Sequence, residues 1–496
     1  MKMKKLAKFL LPVVTLTCIL ASCSASGSRY DRNDNYAALM SPGDSLDYEY
    51  DSVMENDFSD PAISPNSTFS LDRNTSSYSY ARRILTAGQK VAEDSVRIEE
   101  FVNYFSYDYP LPEAGEGLAT TAYLADCPWN ADSKLFTVGV SAEELSFENR
   151  LQNNLVFLLD VSGSMYGDDR LGLVQQAFTM LTEELADADR VSIVTYASGT
   201  RVCLEGALGS EKVRISNVLQ DLEAGGSTFG QGGIQLAYQT AQKYFIKGGN
   251  NRVLLATDGD FNVGISSQDG LKKFISEQRD KGIYLSVLGV GMGNTKDTTM
   301  KTLAENGNGN YAYLDSVAEA RKVLVEEMGG TLVTVAKDAK INIRFSEEFV
   351  EKYRLIGYET KMLTQEEFED ENKDAGEIGA GHTVTAVYEV QLKDGANGNF
   401  AEAELRFKDP STSENKSITM TCPTSLYEAE ANEELTFIGC VTEFGLLLRQ
   451  SKYMGSANFG SVADRLRTLP SVVGANKNPF RAEFLSLVEK AQSIYA

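Results

Sequence analysis

From Asn154 onward the chain exchanges two hydrophobic patterns at regular intervals. Leu155–Leu159 is apolar at every position, as a strand covered on both faces must be. Beyond it, Leu171, Val174, Phe178, Leu181 and Leu185 recur every three or four residues, which places them on one stripe of a helix. The exchange continues with strands over Val191–Tyr196, Val253–Ala256 and Ile283–Val290. Between and after them fall helices over Ile234–Ile246 and Leu271–Arg279 and a closing helix over Val317–Glu327. Fully apolar strands separated by amphipathic helices predict a parallel sheet with right-handed crossovers. The fold class is therefore α/β, a doubly wound unit over Asn153–Gly330.

The flanks follow a different rule. Thr383–Leu392 alternates apolar and polar residues, and Ala339–Phe345, Arg354–Tyr358 and Ala401–Phe407 resemble it, which predicts antiparallel strands in a β-rich region over 331–424. Upstream, Leu118–Leu124 and Lys134–Val140 have the same character. Together they predict a β-sandwich that the α/β unit interrupts as an insertion. Within 71–152, Tyr78–Val91 and Val96–Phe105 have helical spacing and predict core-packing helices without a site. Residues 425–496 are mainly helical; Leu435–Leu448 is short for a membrane span and contains Glu443, so a buried helix is expected. Residues 23–70, rich in Ser, Asp, Asn and Tyr, predict a flexible tether, with structure beginning near Phe69.

Candidate chemistry collects where this topology puts it. In an open α/β sheet, ligands bind beyond the carboxyl ends of the strands. The strand ending at Leu159 runs into Asp160-Val161-Ser162-Gly163-Ser164-Met165, where Asp160, Ser162 and Ser164 alternate. Gly225-Gly226-Ser227-Thr228 precedes a helix, and Thr257-Asp258-Gly259 ends another strand. Carboxylates and hydroxyls are hard ligands suited to magnesium, manganese or calcium. Five such groups leave a six-coordinate ion a position for water or an incoming carboxylate. The plainer alternative is that these residues merely cap helices.

The set Asp160, Ser162, Ser164, Thr228 and Asp258 resembles the metal-ion-dependent adhesion site of von Willebrand factor type A domains. That resemblance implies that Ser162, Ser164 and Thr228 touch the metal directly and that Asp160 and Asp258 act largely through waters. It extends further, to the YfbK-like bacterial type A domain proteins. The matching segments are Ala81-Arg82-Arg83, Val96-Arg97-Ile98-Glu99-Glu100, Asn103-Tyr104-Phe105, Thr257–Gly264, Tyr353–Glu359 and Asp374–His382. Together these segments reach over most of 74–492. Members of that family are commonly lipoproteins without an assigned activity, so the resemblance implies architecture more than role.

Charge and the N-terminus set the compartment. Lys and Arg total 47 against 70 for Asp and Glu, a net charge of -23 over 496 residues. With no basic surplus to neutralise phosphates, a nucleic-acid partner is not expected. Lys2, Lys4, Lys5 and Lys8 precede the apolar run Phe9–Leu20, and Leu20-Ala21-Ser22-Cys23 resembles the bacterial lipobox. Residues 1–22 are thus expected to be a signal peptide, Cys23 to carry lipid, and the protein to sit in the cell envelope, with the outer membrane favoured. Cys127, Cys203, Cys422 and Cys440 lie far apart with no paired spacing, so zinc is not expected; export permits disulfides, but buried free thiols are the favoured reading.

Other motifs are weaker. Asp258, Asp260 and Asn262 suggest an EF-hand, but Val263 stands where its turn needs glycine and Asp269 closes it in place of Glu. His382 is the single histidine, no G-x-S-x-G accompanies it, and a packing role is expected. The resulting expectation is a non-enzymatic protein-binding module whose metal receives a partner's carboxylate. A structural envelope scaffold with a stabilising metal is the first rival, and a metal-dependent hydrolase the second.

Overall fold

The computed structural model describes residues 54–71, 73–144, 151–227, 230–259, 268–291, 297–327 and 333–496. Strand β1 (Asn66–Ser70) leads into helices α1 (Ser76–Thr86) and α2 (Ile98–Val102) and the hairpin of β2 (Leu118–Asp126) and β3 (Lys134–Ala142). The α/β unit follows. Its strands are β4 (Asn153–Asp160), β5 (Arg190–Tyr196), β6 (Thr200–Leu208), β7 (Asn250–Thr257), β8 (Ile283–Gly289) and β9 (Tyr311–Tyr313). Its helices are α3 (Leu171–Glu183), α4 (Lys212–Gln220), α5 (Gly230–Lys243), α6 (Gln268–Arg279), α7 (Asp297–Asn306) and α8 (Val317–Arg321).

The six strands lie in the order β6-β5-β4-β7-β8-β9, parallel except for β6. Every residue of β4 and β7 is buried, and the pleat explains why. Leu155, Phe157 and Leu159 share a core with Phe178 and Leu181 of α3, whereas Val156 and Leu158 point into a second core with Ile234, Leu271 and Leu303. Both faces are covered, so both sets of positions must be apolar. Two departures from the sequence reading stand out. Strand β6 is an antiparallel edge with exposed ends, and its charged Arg201 and Glu205 suit an edge that must not pair further. The closing helix is not continuous: α8 ends at Arg321 and a π-helical turn covers Lys322–Glu326.

After the α/β unit come β10 (Thr334–Phe345), β11 (Val350–Ile356), β12 (Gly376–Gly379), β13 (Thr383–Leu392), β14 (Asn399–Lys408), β15 (Asn415–Pro423) and β16 (Tyr427–Glu428). One sheet runs β11-β13-β3-β2-β16; the other runs β1-β10-β14-β15, with β12 on β10. Strand β3 pairs with β13 antiparallel, Lys134 opposite Val390 and Ser141 opposite Thr383. The α/β unit is therefore inserted into a β-sandwich whose two sheets close over Phe136, Val138, Ile341, Ile343, Tyr388 and Leu405. Ser59 and Asn66–Ser70, which fall within the expected tether 23–70, take part in the fold. Ser59 bridges Tyr353, and β1 pairs with β10 along its whole length. The local sequence Asn-Ser-Thr-Phe-Ser shows almost no apolar pattern because β10, far along the chain, supplies its ladder.

The last elements are α9 (Glu433–Leu448), α10 (Phe459–Leu466) and α11 (Pro479–Tyr495). They share one core with α1, α2 and Trp129, so the N- and C-terminal helical segments form a single layer. The helix α2 is shorter than the Val96–Phe105 spacing suggested. Among the described residues no helix is long and apolar enough to cross a membrane. In α9, Glu443 is buried and pairs with Arg465 of α10. Cys127, Cys203, Cys422 and Cys440 are free; all but the half-buried Cys203 are buried, and burial pushes those three thiols up to about 12.

Candidate metal site

The carboxyl edge of the six-stranded sheet brings three loops together. Strand β4 delivers Asp160, fully buried, into a tight turn over Gly163–Met165. The Val161 N–H donates to the Tyr196 carbonyl at the end of β5, which anchors the loop to the neighbouring strand (3.0 Å). The loop before α5 is zipped onto it: Gly225 N–H donates to Val161 O (2.8 Å), and Gly163 N–H donates to Gly226 O (2.9 Å). Gly226 has φ +83, and a Cβ there would lie 2.5 Å from Ser198 Oγ, so backbone conformation and close approach both demand glycine. Ser198 Oγ accepts from the Ser227 N–H (2.9 Å), tying the β5–β6 turn into the same cluster.

Within this frame the side chains converge. Asp160 Oδ1 accepts from the Ser162 N–H (2.9 Å), and Oδ2 accepts from the Thr257 hydroxyl (3.2 Å). Ser162 Oγ and Ser164 Oγ are 3.0 Å apart. Asp258 follows Thr257 at the end of β7 and is 4% exposed. Burial pushes the Asp160 carboxyl up to about 6; hydrogen bonds from Ser162 oppose the shift and the charge of Asp258 adds to it. Asp160, Ser162, Ser164 and Asp258 are thus brought together. Thr228 lies outside the described residues, as do Asp260 and Asn262, the loop positions of the discarded EF-hand motif, and Cys23.

The donors fit a hard divalent cation. Two carboxylates crowded under low solvation are stabilised by an added positive charge. Neighbouring ligands of an octahedral ion with bonds of about 2.1 Å lie about 3.0 Å apart, which matches the two seryl oxygens. Among the described residues there is no group of three or more His, Cys, Asp and Glu that suits a metal, so a mixed hydroxyl–carboxylate set is the relevant chemistry. Thr257 and Tyr196 were not legible as site residues. Thr257 orients Asp160 through its hydroxyl, and the buried Tyr196 phenol lies close to the same carboxyl. Both end strands in the sequence, and only the sheet order puts β5 and β7 on either side of β4. His382 is elsewhere, buried at the junction of the two regions beside Arg73, Thr75, Asn310 and Glu327.

The sheet order, the inserted sandwich and the loop cluster define a class, and family models agree. One described as von Willebrand factor type A domain matches residues 154–326, and one described as von Willebrand factor matches 45–137. A third, the C-terminal part of the uncharacterized protein YfbK, matches 330–403 and 393–494. The uncharacterized protein YfbK of Escherichia coli (strain K12) is 37% identical over 482 residues, 92% of this chain and 82% of that one. The chain belongs to the YfbK family of von Willebrand factor type A domain proteins. The uncharacterized protein sll0103 of Synechocystis sp. is 28% identical over 186 residues, 37% of this chain and 42% of its own length. The solved von Willebrand factor type A structure from Catenulispora acidiphila is 14% identical with a TM-score of 0.41, covering 72% of this chain and 88% of that one.

Proposed function

We propose that this chain is an envelope lipoprotein that recruits a protein partner through a divalent cation held by Asp160, Ser162, Ser164, Thr228 and Asp258. The reading is carried by the convergence of two seryl hydroxyls with a buried carboxylate that has a second carboxylate beside it, at the sheet edge where ligands bind. A magnesium, manganese or calcium ion held there supplies a positive docking point for a carboxylate of the partner. Ser162, Ser164 and Thr228 are the direct ligands in this reading, with Asp160 and Asp258 neutralising charge through waters. Around them Tyr166 is 80% exposed, and Gly225, Gly226 and Ser227 are exposed, so the loops present a surface to an incoming chain. A binding role suits the donors better than hydrolysis. The single histidine, the natural general base, is buried at the junction with Glu327 and Arg73. Lipid on Cys23 would tether the domain to the membrane.

Calorimetric titration with magnesium or manganese, together with affinity capture from detergent-solubilised envelopes with and without chelator, tests the reading. Expected are binding at millimolar ion or below, its loss in Asp160→Ala, and partner capture that chelator prevents. An absence of heat at millimolar ion, or capture indifferent to chelator, overturns it. Cys23→Ser should release the chain from membranes; wild-type protein that never takes up a fatty-acid label removes the anchor from the proposal.

A further inference from the structure

Arg82 and Arg83 stand side by side on α1, outside the type A domain, and both are buried. Consecutive helical residues point about 100° apart, so the two guanidinium groups leave α1 in different directions. Arg82 turns toward the closing helix. Its Nε and Nη2 donate to Asp315 at 2.7 Å each, and Nη2 also donates to Glu319 at 2.7 Å. Arg83 turns toward the metal loop. Its Nη2 donates to Asp169 Oδ2 (2.5 Å) and its Nη1 to the Tyr313 hydroxyl (3.1 Å).

Asp169 sits in the tight turn that carries the chain from Ser164 into α3, where the Arg170 and Gly172 N–H groups both bond the Gly167 carbonyl. Tyr313 donates in turn to the Gly291 carbonyl (2.6 Å). Gly291 follows Val290, whose N–H donates to the Thr257 carbonyl (3.0 Å), and the Thr257 hydroxyl donates to Asp160. These bonds form a ring that leaves the metal loop at Asp169 and returns to it at Asp160, and Arg83 enters that ring from outside the domain.

We propose that Arg83 is a positioning residue for the cation site. By holding Asp169 and Tyr313 together it fixes the exit of the Asp160–Met165 loop, and with it the separation of Ser162 from Ser164. The inference rests on the metal-dependent reading above. A guanidinium suits the task because it is planar, permanently charged and able to send separate N–H groups to a carboxylate and a phenol, which one ammonium does less well. The Arg83 and Asp169 side chains are 4% and 23% exposed, so the pair is weakly screened.

The test titrates manganese into the full chain by calorimetry and records the thermal midpoint in chelator. The proteins compared are wild type, Arg83→Gln, Asp169→Asn, their double variant, Arg82→Gln and Asp160→Ala. Arg83→Gln and Asp169→Asn should each raise the dissociation constant about tenfold, the scale seen for groups that orient metal ligands. The double variant should bind no more weakly than the weaker single one, because both changes break one link. Arg82→Gln, whose partners Asp315, Glu319, Tyr104 and Glu483 lie away from the Asp160–Asp169 loop, should lower the midpoint and leave the dissociation constant within about twofold. If Arg83→Gln does not fold, Asp169→Asn, at the more exposed end of the pair, carries the test. Unchanged affinity in those variants, with Asp160→Ala still abolishing binding, overturns the positioning role and leaves the metal reading standing. An equal loss in Arg82→Gln makes the effect one of general stability and also rejects it. Wild-type protein that binds no divalent ion overturns both readings.

Discussion

A carboxylate without solvent resists its charge until something positive approaches, and Asp160 is such a group. Held at about 6, chiefly by burial, it carries its charge at neutral pH at a cost to the cation-free fold of about 3 kcal/mol. Asp160→Asn retains an acceptor for the Ser162 N–H, and the Thr257 hydroxyl can reverse to accept. The variant is therefore expected to melt above wild type in chelator and to gain nothing from magnesium. Wild type at a hundredfold excess over the dissociation constant should gain about 2.7 kcal/mol. Thermal denaturation with chelator and with magnesium reads both halves; an Asn variant no more stable than wild type in chelator contradicts the electrostatic account. His382 supplies a second prediction. Burial first, then the charge of Arg73, lowers it to about 3 from 6.5. The unfolded chain takes up a proton near pH 6.5 that the folded chain refuses until about pH 3, so the contribution is intact above 6.5 and shrinks as pH falls. At pH 5 the loss is about 2 kcal/mol. Urea midpoints of wild type and His382→Gln between pH 7.5 and 5 should diverge by that slope, and parallel curves would refute it.

Between neighbouring strands, a charge pair is buried where only apolar residues are usual. Arg354 on β11 faces Glu389 on β13, and Nη2 donates to Glu389 Oε2 at 2.9 Å with both side chains at 2% exposure or less. Asn130 and Trp129 also donate to the same carboxylate, and the Tyr453 ring lies under the guanidinium at 4.2 Å. Removing one partner strands the other charge, so Arg354→Met should cost about 3–5 kcal/mol in urea unfolding. Replacing both with apolar residues should recover much of that, because the desolvation cost disappears with the pair. A double variant as unstable as the single one would show that the hydrogen bonds from Trp129 and Asn130 matter more than the charge.

Across the molecule, the helical layer grips the α/β unit through buried ions. Arg73, just before α1, bonds Glu327 through two nitrogens at 2.8 Å each, and Arg82 on α1 bonds Asp315 and Glu319. The chain's single tryptophan, Trp129, is buried in the helical core rather than in the α/β unit. Coupling of this kind predicts that magnesium, bound in the α/β unit, raises the unfolding midpoint reported by Trp129 fluorescence as much as the one reported by circular dichroism. Two separate transitions, with the Trp129 midpoint indifferent to magnesium, would mean that the regions unfold independently.

Strands buried on both faces and helices with one apolar stripe declare themselves, because burial imposes a period on neighbouring residues. For that reason β4, β7, β8, α3 and α6 were legible, and so was the place of the Asp160 and Asp258 loops at the ends of strands. The interrupted sandwich was legible for the same reason, through the alternation in Thr383–Leu392. Where a partner far along the chain supplies the hydrogen bonds or the counter-charge, no local period is required. The polar segment Asn66–Ser70 becomes a strand only against β10, and Thr200–Leu208, whose apolar residues follow no strict alternation, becomes an edge only against β5. Thr257 and Tyr196 reach Asp160 only because the sheet order sets β7 and β5 on either side of β4. Arg83 likewise reads as an ordinary helix residue until folding carries it to Asp169, 86 positions away. The hydrophobic period is a property of adjacent residues, whereas such pairings are satisfied across long loops and leave no mark on the residues nearby.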